Sequence, residues 1–80
     1  MSDSVFPKVD KCTSVKIWSR ETMTDEMMQF GWSAFNQYQR GLVNGEVSEQ
    51  GCAYSNKYYV ACALKRKSGM CSVLVREVKQ

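Results

Sequence analysis

The sequence contains no histidine, the side chain that proteins most often use as a general base and as a metal ligand. A P-loop, a dinucleotide-binding glycine motif, a nucleophile elbow and a calcium-binding loop are also absent. The eight acidic residues are dispersed, and the pair Asp25 and Glu26 is explained by its position in the first turn of a predicted helix. We therefore predict that the protein is not an enzyme and has no catalytic or cofactor-binding residues.

Closely spaced cysteines are missing too. Cys12, Cys52, Cys62 and Cys71 lack the C-x₂-C spacing that is typical of zinc sites, so no metal site is predicted. Residues 1–10 have neither a basic start nor an apolar run, so we expect no signal peptide, a reducing cytoplasmic location and free thiols. The cysteines are then interpreted as small buried side chains, in preference to disulfide, metal or redox roles.

No stretch approaches the ~20 apolar residues of a transmembrane helix, so no membrane partner is expected. A hydrophobic fraction of 44% with two tryptophans, four tyrosines and three phenylalanines is typical of a folded chain. A chain of 80 residues is long enough for one domain with a small core.

Periodicity predicts an α+β fold, in which one amphipathic helix packs on one face of a small antiparallel sheet of three to four strands in β-α-β-β order. Residues 1–10 are expected to be mobile. The predicted elements are a strand at about 13–20, a helix at about 24–42, a possible short strand at about 51–54 and a basic β-hairpin at about 57–79.

The predicted helix begins after Thr24, whose hydroxyl is suited to cap it. Its apolar arc is wider than contact with one sheet requires, which leaves apolar side chains at the helix edges. Gly31 lies in the middle of this arc and indicates a close approach of the helix to the sheet. The helix is predicted to end either at Gly41 or at Gly45.

Alternation along the hairpin predicts which residues face the helix. A hairpin loop of even length places one set of larger side chains inward: Val60, Cys62, Leu64, Cys71, Val73 and Val75. If the strands share one sheet, its outer face gathers Lys16, Trp18, Arg20, Tyr59, Lys65, Leu74 and Arg76. The alternative for Trp18 is that its ring folds back into the core.

Basic residues concentrate near the C-terminus. Residues 51–80 contain six basic and one acidic side chain, whereas residues 1–50 contain five basic and seven acidic ones. Such an asymmetry predicts an anionic partner, either nucleic acid or an acidic protein surface, although a solvated hairpin that avoids edge pairing explains the same charges.

Aromatic and cationic side chains on an uncovered sheet face are typical of protein-binding hot spots and of nucleic-acid surfaces. The predicted partner-binding residues are Lys16, Trp18, Arg20, Trp32, Tyr59, Lys65, Arg66, Lys67 and Arg76. We predict a small protein that binds a macromolecular partner stoichiometrically, in the manner of phage or mobile-element inhibitors of host or defence machinery. The alternatives are nucleic-acid binding through the basic hairpin and a homodimer that buries the outer face.

Overall fold

The computed structural model describes residues 9–78, which form one helix and four strands. The elements are β1 Ser14–Trp18, α1 Asp25–Asn44, β2 Cys52–Ser55, β3 Tyr59–Lys65 and β4 Met70–Glu77. The predicted α+β fold is confirmed, and the short strand predicted at 51–54 is present as β2. The prediction of a mobile N-terminus falls mostly on residues outside this description.

The strands form one sheet in the order β1-β4-β3-β2. β1 pairs with β4 in parallel, while β2, β3 and β4 are joined by antiparallel pairs, so the sheet is mixed rather than wholly antiparallel. The helix returns the chain to the end at which β1 began, and β2 therefore runs in the same direction as β1. Two hairpins later, β4 has this direction as well.

The ends of α1 are determined by local capping. The Thr24 hydroxyl accepts a hydrogen bond from the backbone N–H of Met27 at 3.1 Å, which confirms the predicted start. At the other end Gly45 has a φ of 74°, and its N–H donates to the carbonyl oxygen of Leu42 at 3.2 Å. Of the two predicted ends, the later one is correct, because Gly45 adopts the left-handed conformation that closes a helix.

α1 packs mainly over the central strands β4 and β3. Gly31 allows this approach, since a Cβ atom at this position would lie 2.5 Å from Ile17 Cγ2 and 3.0 Å from Val75 Cγ2. The packing role predicted for Gly31 is thereby confirmed. The core consists of ten buried side chains: Met27, Ala34, Phe35, Tyr38, Leu42, Ala61, Ala63, Cys71, Val73 and Val75.

The hairpin between β3 and β4 has a three-residue loop. The N–H of Arg66 donates to the carbonyl oxygen of Met70 at 2.8 Å, and the N–H of Gly69 donates back to the carbonyl oxygen of Arg66 at 2.9 Å. Gly69 has a φ of 96°, as a turn followed by a bulge requires. The prediction of an even-length loop is therefore wrong.

An odd loop reverses the two faces of β3. Ala61 and Ala63 pair with Val75 and Val73 beneath the helix, and both alanines are buried. The larger β3 side chains predicted to face inward lie on the opposite face: Val60, Cys62 and Leu64. Small alanines suit the inner position because large helix side chains, such as the fully buried Tyr38, occupy the volume there.

Cys12 and Cys71 form a disulfide, with their Cα atoms 5.6 Å apart. The expectation of four free thiols is wrong for this pair. An antiparallel β1 would begin beside the far end of β4, whereas the parallel pairing brings Cys12 to the start of β4, where Cys71 lies. Cys52 and Cys62 are free, and Cys62 is exposed opposite Leu74 rather than buried beside Cys71.

Tyr38 anchors the connection between α1 and β2. Its ring is fully buried, and its hydroxyl donates a hydrogen bond to the carbonyl oxygen of Ser48 at 2.8 Å. Burial raises the pKa of the Tyr38 hydroxyl above its usual 10, and burial together with the neighbouring Cys52 raises the pKa of Tyr54 in the same direction. Both phenols therefore stay neutral at physiological pH.

Candidate binding surface

The helix covers one side of the sheet and leaves the other side, here called the outer face, without a second layer among residues 9–78. Strand pairing determines which side chains lie on this face. They are Ser14, Lys16 and Trp18 from β1, Ala53 and Ser55 from β2, Val60, Cys62 and Leu64 from β3, and Met70, Ser72, Leu74 and Arg76 from β4.

Trp18 lies on the outer face with its indole ring half-buried. The Nε1–H group donates a hydrogen bond to the hydroxyl oxygen of Ser72 at 3.1 Å, and Ser72 itself is buried. The ammonium group of Lys16 lies 5.5 Å from the centroid of the indole ring, within cation–π range. These contacts hold the ring against the sheet, so that its position is set before any partner binds.

The centre of the outer face is apolar. Cys62 pairs directly with Leu74 on one side and with Ala53 on the other. Leu74 also pairs with Trp18 across the parallel strands, and Leu64 lies two residues along β3 from Cys62. Leu64 and Leu74 are half-buried, while Cys62 and Ala53 are exposed. Together they form a continuous apolar strip across all four strands.

Cations surround this strip. Lys16, Arg20 and Arg76 are exposed on one side of the sheet, and Arg66 and Lys67 are exposed at the hairpin tip. None of the strand residues on the outer face is acidic. The surface therefore combines an apolar centre with a positive border.

Three of the predicted binding residues lie elsewhere. Tyr59 is on the helix side, where its ring centroid is 5.8 Å from that of Phe30. Lys65 is also on the helix side, with its ammonium group 3.6 Å from the Glu49 carboxylate. Trp32 is 46% exposed on a flank of α1, across the sheet from Trp18. The predicted grouping of Tyr59 and Lys65 with Trp18 and Arg76 is therefore wrong.

The reversed register adds Val60, Cys62 and Leu64 to the surface, and sequence reasoning missed all three. Two signals pointed to them. Gly69 can close an odd loop with a bulge as readily as it can close an even one. The small Ala61 and Ala63 alternate with these larger residues, and small residues are suited to lie under a closely packed helix.

Residues 9–78 contain no cluster of three or more His, Cys, Asp or Glu side chains that is suited to hold a metal ion. α1 is not apolar enough over its length to cross a membrane. The features that distinguish the outer face are instead its apolar strip and its cations.

Comparison of the chain with protein-family models, with curated proteins and with solved structures yields no match.

Proposed function

We propose that the protein binds another protein stoichiometrically through the outer face of its sheet. The observation that carries this proposal is the apolar strip of Trp18, Leu74, Cys62 and Leu64, which no second layer covers within residues 9–78. A sheet with one packed face usually carries polar side chains on the other. Apolar side chains that interrupt this alternation are explained by a partner that covers them.

The charges of the border specify the chemistry of that partner. The cations around the strip, and the lack of acidic strand residues on the outer face, favour a partner surface with an apolar ridge flanked by Asp and Glu. A second copy of this chain is less suitable, because the outer face of that copy would carry the same cations and no acidic strand residue to pair with them.

The position of Tyr59 on the helix side favours protein binding over nucleic-acid binding. Stacking of bases needs aromatic rings on the cationic surface, and Tyr59 packs against Phe30 on the helix side instead. Trp18 is the one aromatic side chain on the strands of the outer face. Protein binding is thus the better supported use of this surface, and inhibition of a host or defence protein by occupancy is the mode of action that we propose.

Replacing both Leu64 and Leu74 with threonine should weaken partner binding by at least about tenfold, because it removes apolar contact from the centre of the strip at roughly 0.8 kcal/mol per buried methylene group. Threonine keeps the preference for strands, so the fold should be retained. The measurement is capture by the tagged full-length chain from nuclease-treated extract of its native host. Calorimetric titration of each purified candidate with both forms follows.

The matched control is Met28→Gln, an apolar-to-polar change at an exposed position on the helix flank. The proposal is supported by a partner that binds the Met28→Gln control as it binds the wild type, does not bind the double variant, and has a 1:1 stoichiometry with the wild type. Equal binding by the double variant and the wild type contradicts it. If the logarithm of the binding constant falls steeply and linearly with the logarithm of the salt concentration, and binding requires added DNA or RNA, the surface binds nucleic acid instead.

The cytoplasmic location is a proposal that the disulfide makes measurable. Disulfides are rare in cytosolic proteins, so the Cys12–Cys71 bond weighs against this location. A cytoplasmic pool should give four maleimide-labelled cysteines when native cells are quenched in acid and the protein is labelled under denaturing conditions. Labelling of Cys52 and Cys62 alone contradicts the cytoplasmic location.

A further inference from the structure

A pocket of about 540 Å³ lies at the end of β4, on the border of the outer face. Its lining consists of Arg20, Glu21, Val60, Arg76, Glu77 and Val78. Arg20 and Arg76, two of the four arginines in the sequence, therefore line one pocket. This pocket is separate from the apolar strip but adjoins it through Val60, which lies on the outer face.

The parallel pairing of β1 with β4 brings the two arginines to the same end of the sheet. Trp18, the last residue of β1, pairs with Leu74, and Arg20 and Arg76 each follow this pair by two residues and line one pocket. Both side chains are exposed, and the one ion pair within residues 9–78 joins Lys65 to Glu49 instead. Neighbouring like charges on a sheet are destabilising unless a group of opposite charge lies between them.

Glu21 does not neutralise the pair by contact. One of its carboxylate oxygens accepts a hydrogen bond from the backbone N–H of Glu77 at 3.2 Å, which ties the segment after β1 to the end of β4. This bond holds the segment that carries Arg20 close to the end of β4, and the charge of Glu21 remains in the lining of the pocket. With two arginines and two glutamates in the lining, the pocket as a whole has no net formal charge.

We propose that Arg20 and Arg76 bind a single carboxylate of the protein partner, either an Asp or Glu side chain or a C-terminal carboxylate. This inference rests on the proposed function, since it names the group that the partner presents at the border of the outer face. Guanidinium groups match the planar geometry of a carboxylate and bind it with paired hydrogen bonds. Val60 and Val78 provide an apolar wall for the aliphatic stem that carries the carboxylate.

The neutral lining favours a carboxylate over a phosphate. A carboxylate adds one negative charge to this neutral lining, and paired hydrogen bonds from the guanidinium groups favour it locally. A phosphate monoester carries almost two at neutral pH, and its second charge would be repelled by the glutamates. The two valines likewise suit an aliphatic stem better than a sugar.

The test uses the full-length chain labelled with ¹⁵N and follows the Nε–Hε signals of its four arginines during titration with sodium isovalerate, a carboxylate on a branched aliphatic stem. We expect saturable shifts for Arg20 and Arg76. The Nε–Hε signals of Arg40 and Arg66 should shift only as much as they do in a parallel titration with sodium chloride, which changes the ionic strength alone. Arg76→Gln should weaken isovalerate binding about tenfold or more, because a charge-assisted hydrogen bond is lost. Arg40→Gln, a matched change at an exposed position on α1, should leave it unchanged.

Linear and equal shifts of all four arginines would overturn the proposal, and so would unchanged binding in Arg76→Gln. Tighter binding of inorganic phosphate than of isovalerate at equal ionic strength would overturn the carboxylate assignment. Isovalerate contains no part of the partner, so failure here leaves the leucine test of the outer face intact. Failure of the leucine test alone would leave a carboxylate site without the proposed protein interface.

Discussion

Replacing Cys12 with serine should lower the free energy of unfolding by about 2 to 4 kcal/mol, because the disulfide to Cys71 closes a long loop in the unfolded chain. The two cysteines are 59 positions apart, which is most of the length of the domain. The total stability of a domain this small is at the low end of the usual 5 to 15 kcal/mol. Loss of the bond should therefore remove a large part of that stability, as measured by urea denaturation.

Cys62→Ser provides the matched control, since Cys62 is free and exposed on the outer face. Its effect should stay within about 0.5 kcal/mol, as expected for a surface substitution. A reducing agent should lower the stability of the wild type to that of Cys12→Ser and should not affect the variant. A wild type whose denaturation midpoint is the same with and without reductant contradicts the predicted contribution of the disulfide.

Gly31→Val should lower the free energy of unfolding by about 3 kcal/mol through overpacking. A Cβ atom added at this position would lie 2.5 Å from Ile17 Cγ2, and valine adds two further methyl groups to it. The helix would have to move away from β1 and β4, which would loosen the whole core. The measurement is the urea midpoint of each variant at constant m-value.

Gln37→Val is the control for this change, because it introduces the same branched side chain on the exposed side of the same helix. It should cost less than about 1 kcal/mol, the range of helix propensity alone. Combining Gly31→Val with Ile17→Ala should cost less than the sum of the two single changes, because the second removes the methyl group that clashes. Strict additivity would show that the contact with Ile17 does not limit the approach of the helix.

Local sequence determines the helix and the strands of this protein. Thr24 caps the start of α1 and Gly45 caps its end, each through hydrogen bonds to residues a few positions away. The alternation of side chains in β3 and β4 predicts a strand in each case, whichever face is buried. Gly31 also signals its role directly, since a glycine in the middle of an apolar arc costs stability unless a close contact requires it. These features depend on neighbours in the chain, so they could be predicted without knowledge of the tertiary structure.

The composition of the binding surface could not be predicted in this way. It depends on whether the loop between β3 and β4 contains an odd or an even number of residues. The loop of residues 67–69 has odd length, which moves Val60, Cys62 and Leu64 outward and takes Tyr59 and Lys65 inward. A strand has a period of two, so one residue reverses every side chain. Lys16, Trp18, Leu74 and Arg76 were predicted to lie on the outer face, and their strand pairing places them there.

Strand direction was likewise decided by the tertiary structure. Counting β2 as a full strand makes β4 parallel to β1, whereas omitting it reverses their relation. That parity brings Cys12 to Cys71 and places Arg20 and Arg76 in the lining of one pocket, and both pairs are more than 50 residues apart in the chain. The sequence by itself determined the elements and the absence of histidine chemistry. The sheet order determined which distant side chains meet, because such contacts depend on how strands are paired and not on local propensity.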